Sequence, residues 1–254
     1  MIGIISGVIN NDLKKDSMGA LERIAKIGYK GFETGRTLSV WDQSKEVVKQ
    51  KMDELGIKFV TMHVGLEALK FEFDEIVEDA KFNEASYICL SWAPCTEKAW
   101  ILETAAFLDE RALQLADLGF TLIYHNHDHE ISNQFDGVSA IDLLIANTKH
   151  LKFLVDTCWA RVGGTNPAEL IRSLSGRVPV LHIKDMRDFN VRDSFVEVGD
   201  GAMDFAPIIE AARAAGVEWY VVEQDKPYLL SGLESAKRSY EFLKKSLDTA
   251  PQED

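Results

Sequence analysis

The chain is short of cysteine, short of basic residues and without a long apolar run, and each shortage narrows what it can be. Cys89, Cys95 and Cys158 form no CxxC pair and are odd in number, which fits free thiols in a reducing compartment better than a disulfide framework. Lys and Arg number 28 against 41 Asp and Glu, a net charge of −13. A chain this acidic repels phosphate backbones, so neither nucleic acid nor an anionic membrane is an expected partner. No stretch reaches about 18 consecutive apolar residues, and no membrane-spanning helix is expected. The opening MIGIISGVI carries neither a basic leader nor a small-residue cleavage site and reads as a strand, not a signal peptide. The expected location is cytoplasmic. No Pro-, Ser- or Gly-rich linker interrupts the sequence, so residues 1–254 are expected to form a single domain.

What is present is a regular alternation. Eight short runs are nearly continuous in apolar character: IGIISGVI (2–9), GFETG (31–35), KFVTMHV (58–64), YICLSW (87–92), TLIYHNH (121–127), LKFLVDT (151–157), VPVLHIKDM (178–186) and WYVVEQD (219–225). That is the mark of parallel strands buried on both faces. Between them lie stretches with three-to-four spacing, among them KEVVKQKMDELG, AWILETAAFLDERALQLADLG and FAPIIEAARAAG, which read as amphipathic helices. Asn166-Pro167-Ala168-Glu169 and Ser231-Gly232-Leu233-Glu234 have the spacing of helix N-terminal caps. Eight strand–helix units in 254 residues give the count and length of an α/β fold of the (β/α)8 TIM-barrel type. A doubly wound sheet would call for a Gly-rich fingerprint after the first strand, which SGVINND lacks.

A barrel carries its active site at the C-terminal ends of its strands. Those ends hold Glu33, His63, Trp92, His125, Asp156, Trp159, His182, Lys184, Glu223 and Asp225, on strand bodies that are otherwise apolar. His125, Asp156, His182 and Glu223 leave four successive strands, five to eight, and can face one point. Two imidazoles with two carboxylates suit manganese, cobalt, zinc or iron(II) better than calcium. Ordinary structural roles compete: Asp156 can cap the turn that follows it, and Glu223 can pair with Lys184 or Lys226. In HNHDHE (125–130), His125 and His127 share a strand face by the period of two. A metal-bound imidazole has committed one nitrogen, so His125 reads as a ligand, with an acid/base role as the alternative. His127 reads as a free imidazole titrating near neutrality and able to move protons. His129 and Glu130 are expected in a solvated loop, and Asn126 faces away to orient a neighbour.

The blocks YHNHDHE (124–130), VDTCWA (155–160), LHIKDM (181–186), VGDGAMDF (198–205) and VVEQD (221–225), with the final helix GLESAKRSYEFLKK, resemble in order and spacing the xylose isomerase-like TIM-barrel superfamily, the sugar phosphate isomerase/epimerase group. The resemblance covers essentially the whole chain. It implies one metal ion held by Glu, Asp, His and Glu from strands five to eight. Asp156, His182 and Glu223 match three of these positions, and His125 stands where many members carry Glu. In epimerases of the family that Glu is both ligand and acid/base, so its replacement weakens a two-glutamate mechanism. The HNH and HIKD forms look more like the inosose dehydratase branch. A homodimer or tetramer is compatible with the resemblance.

A divalent ion beside a base suits proton abstraction next to a carbonyl, through an enediolate. The expected function is a divalent-metal-dependent sugar or keto-sugar isomerase or epimerase, with manganese the first choice of ion and cobalt, zinc, iron or magnesium the others. The alternative is a metal-dependent dehydratase or lyase acting on an inosose or 3-keto-sugar. Glu223, His127 and His125 are the expected acid/base groups. Lys184 (otherwise ion-paired with Asp185 or Glu223), His63, Glu33 and Trp159 are expected to bind a small carbohydrate or cyclitol, with Trp92 and Trp41 as further walls. Gly199 and Gly201 fall where barrels bind phosphate, but Asp200 and Asp204, the latter read as a helix cap, favour a non-phosphorylated substrate. An apurinic endonuclease has a related fold, yet needs more ligands and a basic surface.

Overall fold

The computed structural model describes residues 1–36, 43–226 and 230–249. Eight strands, β1 (Ile2–Ile5), β2 (Gly31–Gly35), β3 (Lys58–Val64), β4 (Tyr87–Leu90), β5 (Thr121–His125), β6 (Lys152–Asp156), β7 (Val180–Ile183) and β8 (Trp219–Val222), pair in parallel and close into a barrel, with β8 beside β1. The helices are α1 (Asn10–Lys15), α2 (Ser17–Ile27), α3 (Lys45–Leu55), α4 (Leu66–Phe71), α5 (Phe73–Asn83), α6 (Lys98–Asp117), α7 (His129–Ser132), α8 (Ala140–Ala146), α9 (Thr157–Val162), α10 (Pro167–Ser173), α11 (Phe205–Ala214) and α12 (Gly232–Thr249). This is the (β/α)8 architecture that the alternation predicts. Asn166 and Asp204 cap α10 and α11 with their side chains, and Ser231 exchanges hydrogen bonds with Glu234 at the start of α12.

The strands are shorter than the apolar runs, and the excess is informative. β1 stops at Ile5, and Ser6–Ile9 form a 3-10 turn whose Val8 and Ile9 stay buried. Apolarity there belongs to a turn packed on the core, not to a longer strand. At β4, β5, β7 and β8 the ladder ends and the polar residues Ser91, Asn126, Lys184 and Glu223 follow directly. After β7 the chain forms an arm whose ends pair antiparallel, Asp185–Met186 with Phe195–Val196.

Two layers of core hold the site. The larger lies between barrel and helices. The smaller fills the barrel interior with Val60, Tyr87, Cys89, Ile123, Leu154, Val180, Trp219 and Val221, leaving no pore. On β3, Phe59 sits opposite Phe32 and Thr61 opposite Glu33, so Val60 is an extra residue. The bulge turns two consecutive side chains inward: Val60 joins the floor, and the Thr61 hydroxyl reaches Glu33 Oε1 at 2.6 Å. The three cysteines are buried and unpaired. Among the described residues no helix is long and apolar enough to cross a membrane.

Gly31 is a test of the floor. A Cβ there would stand 2.4 Å from Val60 Cγ2 and 2.5 Å from the Trp219 ring. Gly31→Ala is expected to destabilise the fold by about 1–3 kcal/mol through overpacking. The measure is a lower denaturant midpoint with an unchanged slope.

Candidate metal centre and active site

Alternation along each strand carries its inward face from the apolar floor to the mouth. Val221, Val180, Leu154 and Ile123 belong to the interior core. Two residues further along the same strands stand Glu223, His182, Asp156 and His125. One donor atom from each of these four lies within 4.8 Å of the other three. His125, Asp156 and His182 are buried; Glu223 keeps 13% of its side chain exposed.

Buried polar groups nearly always have hydrogen-bond partners. Among the described residues, His125 Nδ1, Asp156 Oδ2, His182 Nδ1 and Glu223 Oε2 have no well-directed hydrogen bond; His125 Nδ1 is bare, and the other three are held only by close charges, Lys184 against Asp156 and Glu223, and His182 against Glu223. His182 Nδ1 and Glu223 Oε2 stand 2.7 Å apart, close enough for one ion to take both. A divalent ion taking all four would give each of these buried atoms a well-directed partner at one stroke. The donor set of two nitrogens and two oxygens fits such an ion. Two other clusters, Glu33 with His63 and His182, and Cys95 with His129 and Glu130, also bring donors together. Their atoms are engaged with one another, with Thr61, Ser91 and Tyr124, or with backbone, so neither carries the same mark.

Glu33 orients His182. Its Oε2 lies 2.8 Å from His182 Nε2 and 3.2 Å from His63 Nε2, while Ser91 Oγ meets His63 Nδ1 at 3.2 Å. A carboxylate behind an imidazole fixes its tautomer and ring plane. Burial would raise Glu33, but the charge and hydrogen bond of His182 hold it at about 2. Burial likewise opposes charge on His182, yet Glu223 and Glu33 raise it to about 10, so without an ion it is an imidazolium. Burial and His182 together push His125 well below its ordinary value, leaving the neutral imidazole that a metal requires.

Lys184 is sealed, with Nζ 2.7 Å from Asp225 Oδ2, 3.0 Å from Asp156 Oδ2 and 3.1 Å from Glu223 Oε2. The ion-pair alternative for Lys184 is therefore realised, with these three carboxylates and not Asp185. The Trp159 ring closes its other side at 5.0 Å, so the expected direct contact with a substrate oxygen gives way to an electrostatic role. Asp156 does two jobs at once. Its Oδ1 caps α9 by accepting the Trp159 N–H at 2.8 Å, which turns Oδ2 to the centre. Burial lifts it to about 7 against the pull of Lys184. Asn126 orients it as expected, accepting the Asp156 N–H at 3.0 Å.

His127 lies beside the four, its ring centroid 4.6 Å from that of His125 and its buried Nδ1 without a hydrogen-bond partner among the described residues. Burial and Lys184 push it down to about 4, not near neutrality, so it is a neutral imidazole able to accept a proton. Glu130 overturns the expectation of a solvated loop. It is sealed, accepting the Tyr124 hydroxyl and the His127 N–H, both at 2.8 Å, and burial raises it. The return of a side chain to the backbone three residues earlier was the signal available in the sequence. His129 bonds the Ala93 carbonyl at 3.0 Å and faces Trp92 at 5.7 Å.

Trp159 is only 6% exposed and packs on Phe195 and Lys184, so it backs the charge cluster and is not an open sugar wall; Trp92 is 52% exposed at the rim. Glu33, with both oxygens engaged, is likewise unavailable to a sugar hydroxyl, while His63 stays partly exposed. Trp41 lies outside the described residues. Asp185 accepts the N–H groups of Met186, Gly199, Gly201 and Met203 at 2.9, 3.0, 3.0 and 3.1 Å. A Cβ on Gly201 would stand 2.2 Å from that carboxylate. The glycine loop after β7 is thus wrapped round an internal carboxylate, leaving those amides no phosphate to hold.

The family model for the xylose isomerase-like TIM barrel matches residues 21–246. An inosose dehydratase of Geobacillus kaustophilus is 26% identical over 269 residues, covering 88% of this chain and 85% of that protein. A sugar phosphate isomerase/epimerase of Parabacteroides distasonis superposes with a TM-score of 0.81 at 22% identity, covering 98% of this chain and 94% of the other. The IolI protein, solved with a bound zinc atom, gives 0.77 at 18% identity, covering 99% of each chain.

An ion that takes His182 Nδ1 must displace its proton. Because His182 is raised from 6.5 to about 10, its imidazolium stabilises the ion-free fold fully below about pH 6.5, and that contribution fades as pH rises toward 10. Ion binding runs the other way: apparent affinity for zinc or manganese is expected to rise about tenfold per pH unit for each proton released, measured by competition titration. Glu33→Gln is expected to weaken affinity about 10–100-fold at fixed pH.

Proposed function

The chain belongs to the xylose isomerase-like TIM barrel family, and from that premise we propose that it is a divalent-metal-dependent dehydratase acting on an inosose or related keto-sugar. The observation that carries the reading is the supply of proton-transfer groups. Among the described residues, Lys184 Nζ is held by three carboxylates, whereas the buried His127 Nδ1 beside the four donors has neither a hydrogen bond nor an ion pair, and the ion does not need it. Elimination of water next to a carbonyl can be served by one such group. Its neutral imidazole takes the proton from the carbon beside the carbonyl, and the imidazolium returns it to the hydroxyl leaving the next carbon, which departs as water. Epimerisation needs proton donors on both faces of one carbon, and His125 stands where a second carboxylate would be.

His125, Asp156, His182 and Glu223 would hold the ion, with manganese, cobalt, zinc or iron(II) the fitting class. When bound, it supplies Lewis acidity that polarises the carbonyl and stabilises negative charge on its oxygen. Lys184 and His182 hold Glu223 ionised, well below its usual range despite burial. The partly exposed His63 and Trp92 border the mouth where a small carbohydrate or cyclitol would enter. The Asp185-filled glycine loop favours a substrate without phosphate. The inosose dehydratase relative supports the substrate class, and the buried free thiols suit a cytosolic enzyme. Isomerisation, which the sequence places first, shares the opening step. It would require Glu223, the member of the four with an exposed edge, to deliver a proton from the opposite face.

In deuterium oxide, the metal-loaded protein given a keto-inositol is expected to form a product lacking one water, read by mass spectrometry. His127→Asn should lower turnover by about 10²–10⁴-fold with ion content unchanged. Deuterium entering recovered substrate with no water lost would assign isomerisation instead.

A further inference from the structure

One residue past Glu223 lies a group that the proposed chemistry does not use. Gln224 is 2% exposed, and neither its Oε1 nor its Nε2 has a hydrogen-bond partner among the described residues. By strand alternation it turns away from the four donors. It lines a cavity of about 350 Å³ under the arm that follows β7, shared with Arg187, Arg192, Phe195, Val196 and Glu197. That volume is in the range of small-molecule sites. A carboxamide with both ends unsatisfied in the interior is destabilising by itself, and a ligand that offers an acceptor and a donor together would satisfy both.

The charges around the cavity are nearly balanced. Arg192 pairs with Asp128 at 2.9 Å and Asp193 with Lys226 at 2.7 Å, while buried Glu197 accepts the Ser235 hydroxyl at 2.7 Å. Arg187 is exposed and makes no ion pair among the described residues. Such a lining does not select a strong anion. It offers a donor and an acceptor side by side on the amide, a guanidinium at the rim and an apolar wall from Phe195 and Val196. Adjacent hydroxyls on a ring match this set: one donates to Gln224 Oε1, and the next accepts from Nε2–H.

We propose that this cavity is a second binding site, for a sugar or cyclitol, with Gln224 and Arg187 as its recognition residues. Gln224 follows Glu223 just after β8, but the cavity is lined by none of the four donors, so it stands apart from the catalytic reading. The polyol is either the far end of a larger substrate or a free ligand.

Saturation-transfer NMR on the metal-loaded protein, with myo-inositol, D-glucose and D-xylose as probes, tests this. At least one probe should bind, persist in Glu223→Gln, and weaken tenfold or more in both Gln224→Leu and Arg187→Ala. Arg187 is on the surface, so its variant keeps the test alive if the leucine variant does not fold. Binding unchanged in Gln224→Leu and Arg187→Ala, binding abolished by Glu223→Gln, or no binding of any probe would overturn the proposal. With a turned-over keto-sugar, a higher KM at unchanged kcat in Gln224→Leu identifies the far end of the substrate. Unchanged steady-state constants alongside lost probe binding identify a free ligand.

Discussion

The mouth of this barrel is governed by the crowding of carboxylates in a space nearly closed to water. Glu33, Asp156 and Glu223 are buried or nearly so, and Asp225 stands at the rim. Like charges repel strongly at low dielectric, and burial drives each carboxyl toward protonation. The chain answers with two cations in contact with all four, Lys184 against Asp156, Glu223 and Asp225, and His182 against Glu33 and Glu223. That still leaves four carboxyl groups facing two cations. An ion of charge two that displaces the His182 proton brings the cluster closer to neutrality and gives all four donor atoms a well-directed partner. The charge imbalance and the missing hydrogen bonds have the same remedy.

The rest of the fold keeps that cluster rigid. The apolar floor fixes the inward pitch of β5 to β8, and the bulge at Val60 lets Thr61 reach Glu33. Asn126 and the α9 cap set the two oxygens of Asp156. Glu130 and Asp185 do for the loops what Asn126 does for Asp156: Glu130 accepts the His127 N–H, Asp185 gathers four backbone N–H groups, and each so fixes how the chain leaves a strand. Sites supported in this way owe their precision to the groups behind the ligands.

Much of this was legible in the sequence, for a physical reason. All eight strands announced themselves because parallel strands are apolar on both faces, and the candidate ligands stood out because His125, Asp156, His182 and Glu223 interrupt that apolarity at equivalent positions. What was not legible depends on partners distant in sequence. Lys184 is enclosed by Asp156 and Asp225 from neighbouring strands and by Trp159, none of which its own flanks reveal. His127 looked ready to titrate near neutrality until burial and Lys184 are counted. Glu33 looked like a sugar ligand until His182, 149 positions away, claims its oxygen. Glu130 looked solvated because its loop is polar, although Tyr124 beneath it was waiting for an acceptor.

The most direct test is crystallographic: diffraction from protein grown with manganese or zinc, collected across that metal's absorption edge. The account predicts one anomalous peak, bonded to His125 Nδ1, Asp156 Oδ2, His182 Nδ1 and Glu223 Oε2 together. A peak held elsewhere, or well-ordered side chains at this point with no anomalous signal in metal-saturated crystals, would contradict it.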